Sequence, residues 1–261
     1  MTVTRRELRQ GRAPLAIWTA SIGALMAMCI LLFPEMKADM QDVSDLFASM
    51  GAFTQAFGMD RLALGTLLGF YAVECGNVLG LGGAMFAAMT GACALSREER
   101  ERTADFLLSH PVSRAQVALQ KLAAVLLEVL VMNAVLLAVS LVCIAGIGEE
   151  IPYAQLLRLH GAYLLMQAEL ACLCFGLSAF VIRGSAGAGL GIALMAYFLH
   201  LAANIAQSAH ALRYVTPFAY AEGAEILESG QLNGGLILLG AVYALAAVAA
   251  GIRHYAHKDI R

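Results

Sequence analysis

The sequence predicts an all-α polytopic membrane protein with six transmembrane helices and both termini in the cytoplasm. Three observations carry this. Of 261 residues, 60% are hydrophobic and only 14% charged, and the mean hydropathy of +0.73 lies outside the range of soluble domains. Apolar runs of ~20 residues match a ~30 Å hydrocarbon layer at a 1.5 Å rise per residue, and they are too long for the strands of a membrane barrel. The positive residues, finally, are distributed unevenly between alternate loops. The whole chain, 1–261, is therefore read as one transmembrane domain embedded in the lipid bilayer.

Residues 1–14 hold Arg5, Arg6, Arg9 and Arg12. Thr4 and Glu7 stand at capping-box spacing, which predicts a short interfacial helix on the cytoplasmic surface. The first span runs from Leu15 to Phe33, with Trp18 near its inner end and Pro34 closing it. It is long enough to cross and has no small-residue cleavage site after it, so it reads as a retained helix rather than a signal peptide. From Glu35 to Asp60 the chain is polar and acidic, an outer loop with an interfacial helix over 46–57. The second span, Leu62 to about Leu95, exceeds a bilayer and must tilt, kink or project. Its glycines include the pair Gly76-x-x-x-Gly80, which permits close helix approach.

The third span covers about Ala115 to Ile147, followed by an outer turn at 148–152. The fourth runs from about Leu156 to Ile182, an inner turn at Arg183-Gly184-Ser185 follows, and the fifth covers Ala186 to Ile205. The stretch 207–233 is amphipathic and interrupted by Pro217. A last span, Gly234 to Ile252, leads to a basic tail. Six spans put both termini on one side. That side collects thirteen Lys and Arg residues, four in the N-terminal segment, five between Ser96 and Lys121, Arg183, and Arg253, Lys258 and Arg261 in the tail. The other side has Lys37, Arg61, Arg158 and Arg213. The excess places the termini in the cytoplasm.

The densest charge lies at 96–114, SREERERTADFLLSHPVSR. Ser96 and Glu99 form a capping-box pair that restarts a helix at Arg97. Arg97, Glu98, Glu99, Arg100, Glu101 and Arg102 project charge of both signs, while Leu95, Phe106, Leu107 and Leu108 offer apolar surface. His110-Pro111 ends this helix. Ser113 with Gln116 supplies a second capping box that starts the third span at Arg114.

An acidic and basic cluster, a short leucine-containing helix, then Pro111-Val112-Ser113-Arg114 and Lys121 resembles the first cytoplasmic loop of ABC-2 type permease subunits, the membrane half of ABC transporters. The basic N-terminal segment, the six spans, Thr216-Pro217-Phe218 and the tail with Lys258-Asp259-Ile260 agree in layout. Arg102-Thr103 departs from the Gly-Thr that members often have there. The resemblance implies that 96–109 is a coupling helix seated in a separate ATP-hydrolysing subunit. Arg97, Glu98, Glu99, Arg100, Glu101 and Arg102 would then form ion pairs, and Phe106, Leu107 and Leu108 the apolar anchor. It implies re-entrant helices on the outer side over 207–233. It further implies two ATPase subunits per complex, which bind the ATP and Mg, and a second permease subunit, identical or different. The location implied is the plasma membrane, and the direction export.

No G-x-x-x-x-G-K-[ST] occurs, and the glycine-rich run from Gly184 to Gly191 has no preceding strand and no lysine, so it reads as helix packing. This chain is not expected to be an enzyme and needs no cofactor of its own. The net charge of −2 disfavours nucleic acid as a partner. Six cysteines, none in C-x-x-C spacing, all fall in apolar segments and read as packing residues rather than as a metal site. Ionisable and polar residues inside spans are costly and face a cavity or a partner. Glu74, Asn77, Glu128, Glu169, His200 and Asn204 are therefore candidates for the translocation path, with Asn133 and Gln167 as further polar sites. A second class is an intramembrane metalloprotease-like enzyme. Its E-E-x-x-x-R pattern is missed by one residue at Glu98-Glu99 and Arg102, in a loop rather than a span. His160, His200 and His210 are too few to complete a site. A non-transporting membrane scaffold is a third class.

Overall fold

The computed structural model describes residues 2–49, 51–97, 113–181 and 185–257. Six helices in it are long and apolar enough to cross a membrane: Val3–Lys37, Leu67–Cys93, Arg114–Gly146, Tyr153–Ser178, Ser185–Ile205 and Gly234–His257. The protein is an all-α multi-pass membrane protein, with no strand among the described residues. From the second span to the sixth, boundaries fall within about five residues of the predicted ones, because membrane thickness sets their length.

The first helix departs from expectation. It runs unbroken over Thr2–Ser49, with Pro14 and Pro34 inside it. Residues 1–14 are thus not a separate surface helix, and Pro34 does not close the span. Thr4 and Glu7 are not a capping box either. Val3, Glu7 and Gly11 are buried at one-turn spacing, and Thr4 Oγ1 donates to Gln120 O of the third span at 3.1 Å. Tertiary packing holds this segment, and a proline costs a helix one donor, which a membrane bundle tolerates.

The second and fourth spans form the core pair, each 61% buried over its apolar window against 17% for the sixth. Glycines make their close approach possible. Gly76 and Gly80 lie under the Tyr163 ring, Gly83 faces the Gln167 amide, and Gly91 packs on the Ala171 backbone. The first span packs mainly on the third, the fifth on the second and the sixth on the fourth. In the sixth, Gly251 approaches Gly176, with a Cβ at Gly251 standing 2.7 Å from Gly176 Cα. The overlong second span carries a π turn at Tyr71–Cys75 between Leu67–Phe70 and Gly76–Cys93.

Candidate functional site

The inner ends of the first three spans meet around one carboxylate. Lys121 is fully buried, 0% exposed, seven residues into the third span. Its ammonium donates to Glu7 Oε1 at 3.1 Å and to Ala94 O, at the end of the second span, at 2.9 Å. Arg97 Nη1 donates to the other oxygen of Glu7 at 3.4 Å and to Gln10 Oε1 at 3.5 Å. Arg97 is the last residue of the charged stretch described on its N-terminal side. Ser113, where the described chain resumes, makes the predicted capping box with Gln116. One carboxylate on the first helix thus clasps both roots of that stretch. Within it, Glu98, Glu99, Arg100, Glu101, Arg102, Phe106, Leu107, Leu108 and Pro111 lie outside the described residues. Leu95, expected to offer apolar surface, is instead 1% exposed in the core, because the second span ends inside the bundle.

Midway through the bundle, Asn133 Nδ2 donates to Gln167 Oε1 at 2.7 Å, and Gln167 Nε2 donates to Leu79 O at 3.1 Å. This chain of amides ties the second, third and fourth spans together. Nearer the outer side, Tyr71 Oη lies 2.7 Å from His160 Nε2 and 2.8 Å from Ser140 Oγ, all three buried. Buried polar groups of this kind fix one helix register, because a slip would leave them without partners.

The outer end is capped by 207–233. It holds 3-10 turns at Gln207–Tyr214 and Pro217–Tyr220 and a helix at Gly223–Ser229. Pro217 begins the second turn, where its missing N–H costs nothing. Residues 216–221 are buried. Thr216 Oγ1 donates to Ala196 O at 2.8 Å, nine residues before the end of the fifth span, and Tyr220 Oη donates to Glu169 Oε2 at 2.8 Å. At 1.5 Å per residue the turn sits ~13 Å inside the outer end of the fifth span. Beneath it, Asn77, His200 and Asn204 line a cavity of about 40 Å³, room for single waters. Tyr197 Oη donates to Asn77 Oδ1 at 3.2 Å, Asn204 Nδ2 donates to Ala56 O at 3.2 Å, and His200 stacks on Phe218.

Three of the six predicted path residues, Asn77, His200 and Asn204, therefore share one cavity. Glu169 bonds to the cap from the far side and lies against Gly240. Glu128 belongs to the inner junction, and Glu74 lines neither place. The residues missed from sequence are Glu7 and Lys121 as partners, although a lysine seven residues inside an apolar span signals a buried counter-charge. Also missed were the arginines on the cap. Arg61 pairs with Glu228 and, at 3.7 Å, with Glu222, while Arg213 pairs with Glu225. Among the described residues no group of three or more His, Cys, Asp or Glu side chains is placed to hold a metal.

The cap has its own pH response. Burial pushes the Glu222 carboxyl above its ordinary value, with Arg61 and Arg213 opposing, while the hydrogen bond from Arg61 holds Glu228 below its own. A raised carboxyl contributes stability that is present below its unfolded value and lost as pH rises through its folded one; a depressed carboxyl does the reverse. Stability from Glu222 is therefore gained as pH falls from neutral toward the ordinary carboxylate range. Below that range the Glu228 contribution is lost. Between pH ~7 and ~5 the unfolding temperature of the native protein is expected to rise relative to Glu222→Gln; parallel curves would assign the shift elsewhere.

A family model described as ABC-2 family transporter protein matches residues 1–259. No curated protein matches the chain.

Proposed function

Because this chain belongs to the ABC-2 family of transporter proteins, we propose that it is the permease subunit of an ABC exporter driven by a separate ATPase docked on 96–109. The observation that supports this best is the clasp. Lys121, Ala94 and Arg97 join the roots of the charged stretch to Glu7, so a push on that stretch is delivered to three spans together. Two ATPase subunits, holding ATP and Mg, would work against a dimer of permease subunits.

In this reading ATPase closure displaces 98–112 toward the membrane, and the first three inner ends move as a unit. The second span carries the movement to the outer cap, because Asn77 lies on it and bonds to Tyr197 under the Pro217 turn. Release of the Tyr220–Glu169 and Thr216–Ala196 bonds would open the cap to the outside. Alternating access then has two endpoints, the closed cap and an open one, selected by the ATPase. Reversing charge at Glu98 and Glu99 in the reconstituted complex is expected to leave ATP hydrolysis running while transport is lost, or to release the ATPase. Transport at the native rate would show that 96–109 is a passive connector.

A further inference from the structure

Beside the clasp, between the first, second, third and fifth spans, lies a cavity of about 200 Å³ walled by Pro14, Met89 and Val125, with Glu7, Arg97 and Glu128 on its polar edge. Glu7 is occupied by Lys121 and Arg97. Glu128 is not so used: it is 6% exposed, and its Oε2 lies 3.1 Å from where a Cβ on Gly11 would stand. No hydrogen bond or ion pair reaches it among the described residues. A carboxyl largely removed from water without a donor is costly, and here it lines an open volume. On the same edge the contacts of Arg97 among the described residues are long, at 3.4 and 3.5 Å, with 24% of its side chain exposed. Its five-donor fork retains unused N–H groups.

The depth of the cavity narrows the occupant. Pro14 precedes the apolar run that starts at Leu15, Arg97 follows the end of the second span, and Ala186 is the second residue of the fifth. All three place the cavity where inner-leaflet headgroups lie. An acceptor that lacks a donor calls for an ammonium bearing N–H, and a free guanidinium fork matches a phosphate. Glu128 rests on Gly11, one helical turn (~5.4 Å) from Glu7, where Arg97 is anchored. A two-carbon link spans that gap. We propose that this cavity binds a primary ammonium joined to a phosphate, as in a phosphatidylethanolamine headgroup, with the ammonium on Glu128 and the phosphate on Arg97.

Trp18, the only tryptophan, is one turn beyond Pro14, a wall of the cavity, with its ring 6.3 Å from that of Phe86, and its fluorescence serves as the readout. The purified full chain in detergent is titrated with dihexanoyl phosphatidylethanolamine, dihexanoyl phosphatidylcholine and phosphoethanolamine. A saturable response to the first is expected, weakened about tenfold or more for phosphatidylcholine, for Glu128→Gln and for Arg97→Gln, as for loss of a charged hydrogen bond. An equal response to phosphoethanolamine supports the same chemistry and assigns it to a soluble source rather than a lipid. No saturable response, or one of equal strength with phosphatidylcholine, overturns the proposal. So does native affinity in both variants, and should Glu128→Gln fail to fold, Arg97→Gln alone decides. The readout is binding alone, so its failure leaves the permease reading standing.

Discussion

Replacing Glu7 by leucine is expected to lower the unfolding temperature of the purified protein by roughly 10 °C, the shift corresponding to about 3–5 kcal/mol for one partner removed from a buried ion pair. The reason is specific to Lys121. Its side chain has no exposure, and Glu7→Leu removes the carboxylate that accepts its 3.1 Å hydrogen bond. Adding Lys121→Met in the same chain is expected to recover most of the loss, since an apolar pair of similar volume in place of a buried ion pair is close to neutral. Scanning unfolding by Trp18 fluorescence measures both. An unchanged midpoint for Glu7→Leu would mean that the clasp contributes nothing to the fold. Failure of the double variant to recover would mean that the charge itself is required.

The second large effect is expected at the seam between the second and fourth spans. In Gly91→Leu the new side chain starts against the Ala171 backbone, with Cβ 3.1 Å from the carbonyl carbon. Backbone cannot rotate aside as a side chain can, so the two helices must separate. Overpacking alone costs about 1–3 kcal/mol, and in a membrane close packing is itself what holds helices together. Gly83 would leave the seam as well, breaking the Gln167 to Leu79 hydrogen bond. The expected outcome is loss of most monodisperse protein on size exclusion after solubilisation. Gly161→Leu serves as the control, because nothing stands within 4 Å of its Cβ position. Equal yields from the two variants would argue that the seam tolerates widening.

Where local chemistry or membrane thickness decides, the sequence was a sufficient guide. Ser113 and Gln116 form their capping box as spaced, and the third span begins at Arg114. The Gly76 and Gly80 pair does allow close approach, although its partner Tyr163 was not visible from spacing. Pro34 misled because a proline breaks a helix in water, whereas in this bundle the first helix continues through it, as it does through Pro14. The π turn at Tyr71–Cys75 has no local signature in the sequence, and Tyr71, at its start, bonds to the distant His160 and Ser140. The clasp was hidden by distance along the chain, Glu7 and Lys121 being 114 positions apart. Intramembrane polarity picked out Asn77, His200 and Asn204 as functional candidates. It could not distinguish them from Glu74 or Glu128, whose surroundings are set by other helices.

The unbroken first helix has a mechanical consequence. At its inner end Glu7 is tied to the second and third spans, and at its outer end Lys37 bonds to Glu149 at 2.8 Å. Between them Ile22 is seated in the notch left by Gly82, with Cγ1 at 3.0 Å from where a Cβ would stand. Ile22 is fifteen residues from each tie, about 22 Å of helix on either side. If the helix moves as one rigid body about that contact, its two ties lie at equal lever arms, and a tilt would displace Lys37 and Glu7 by equal amounts in opposite directions.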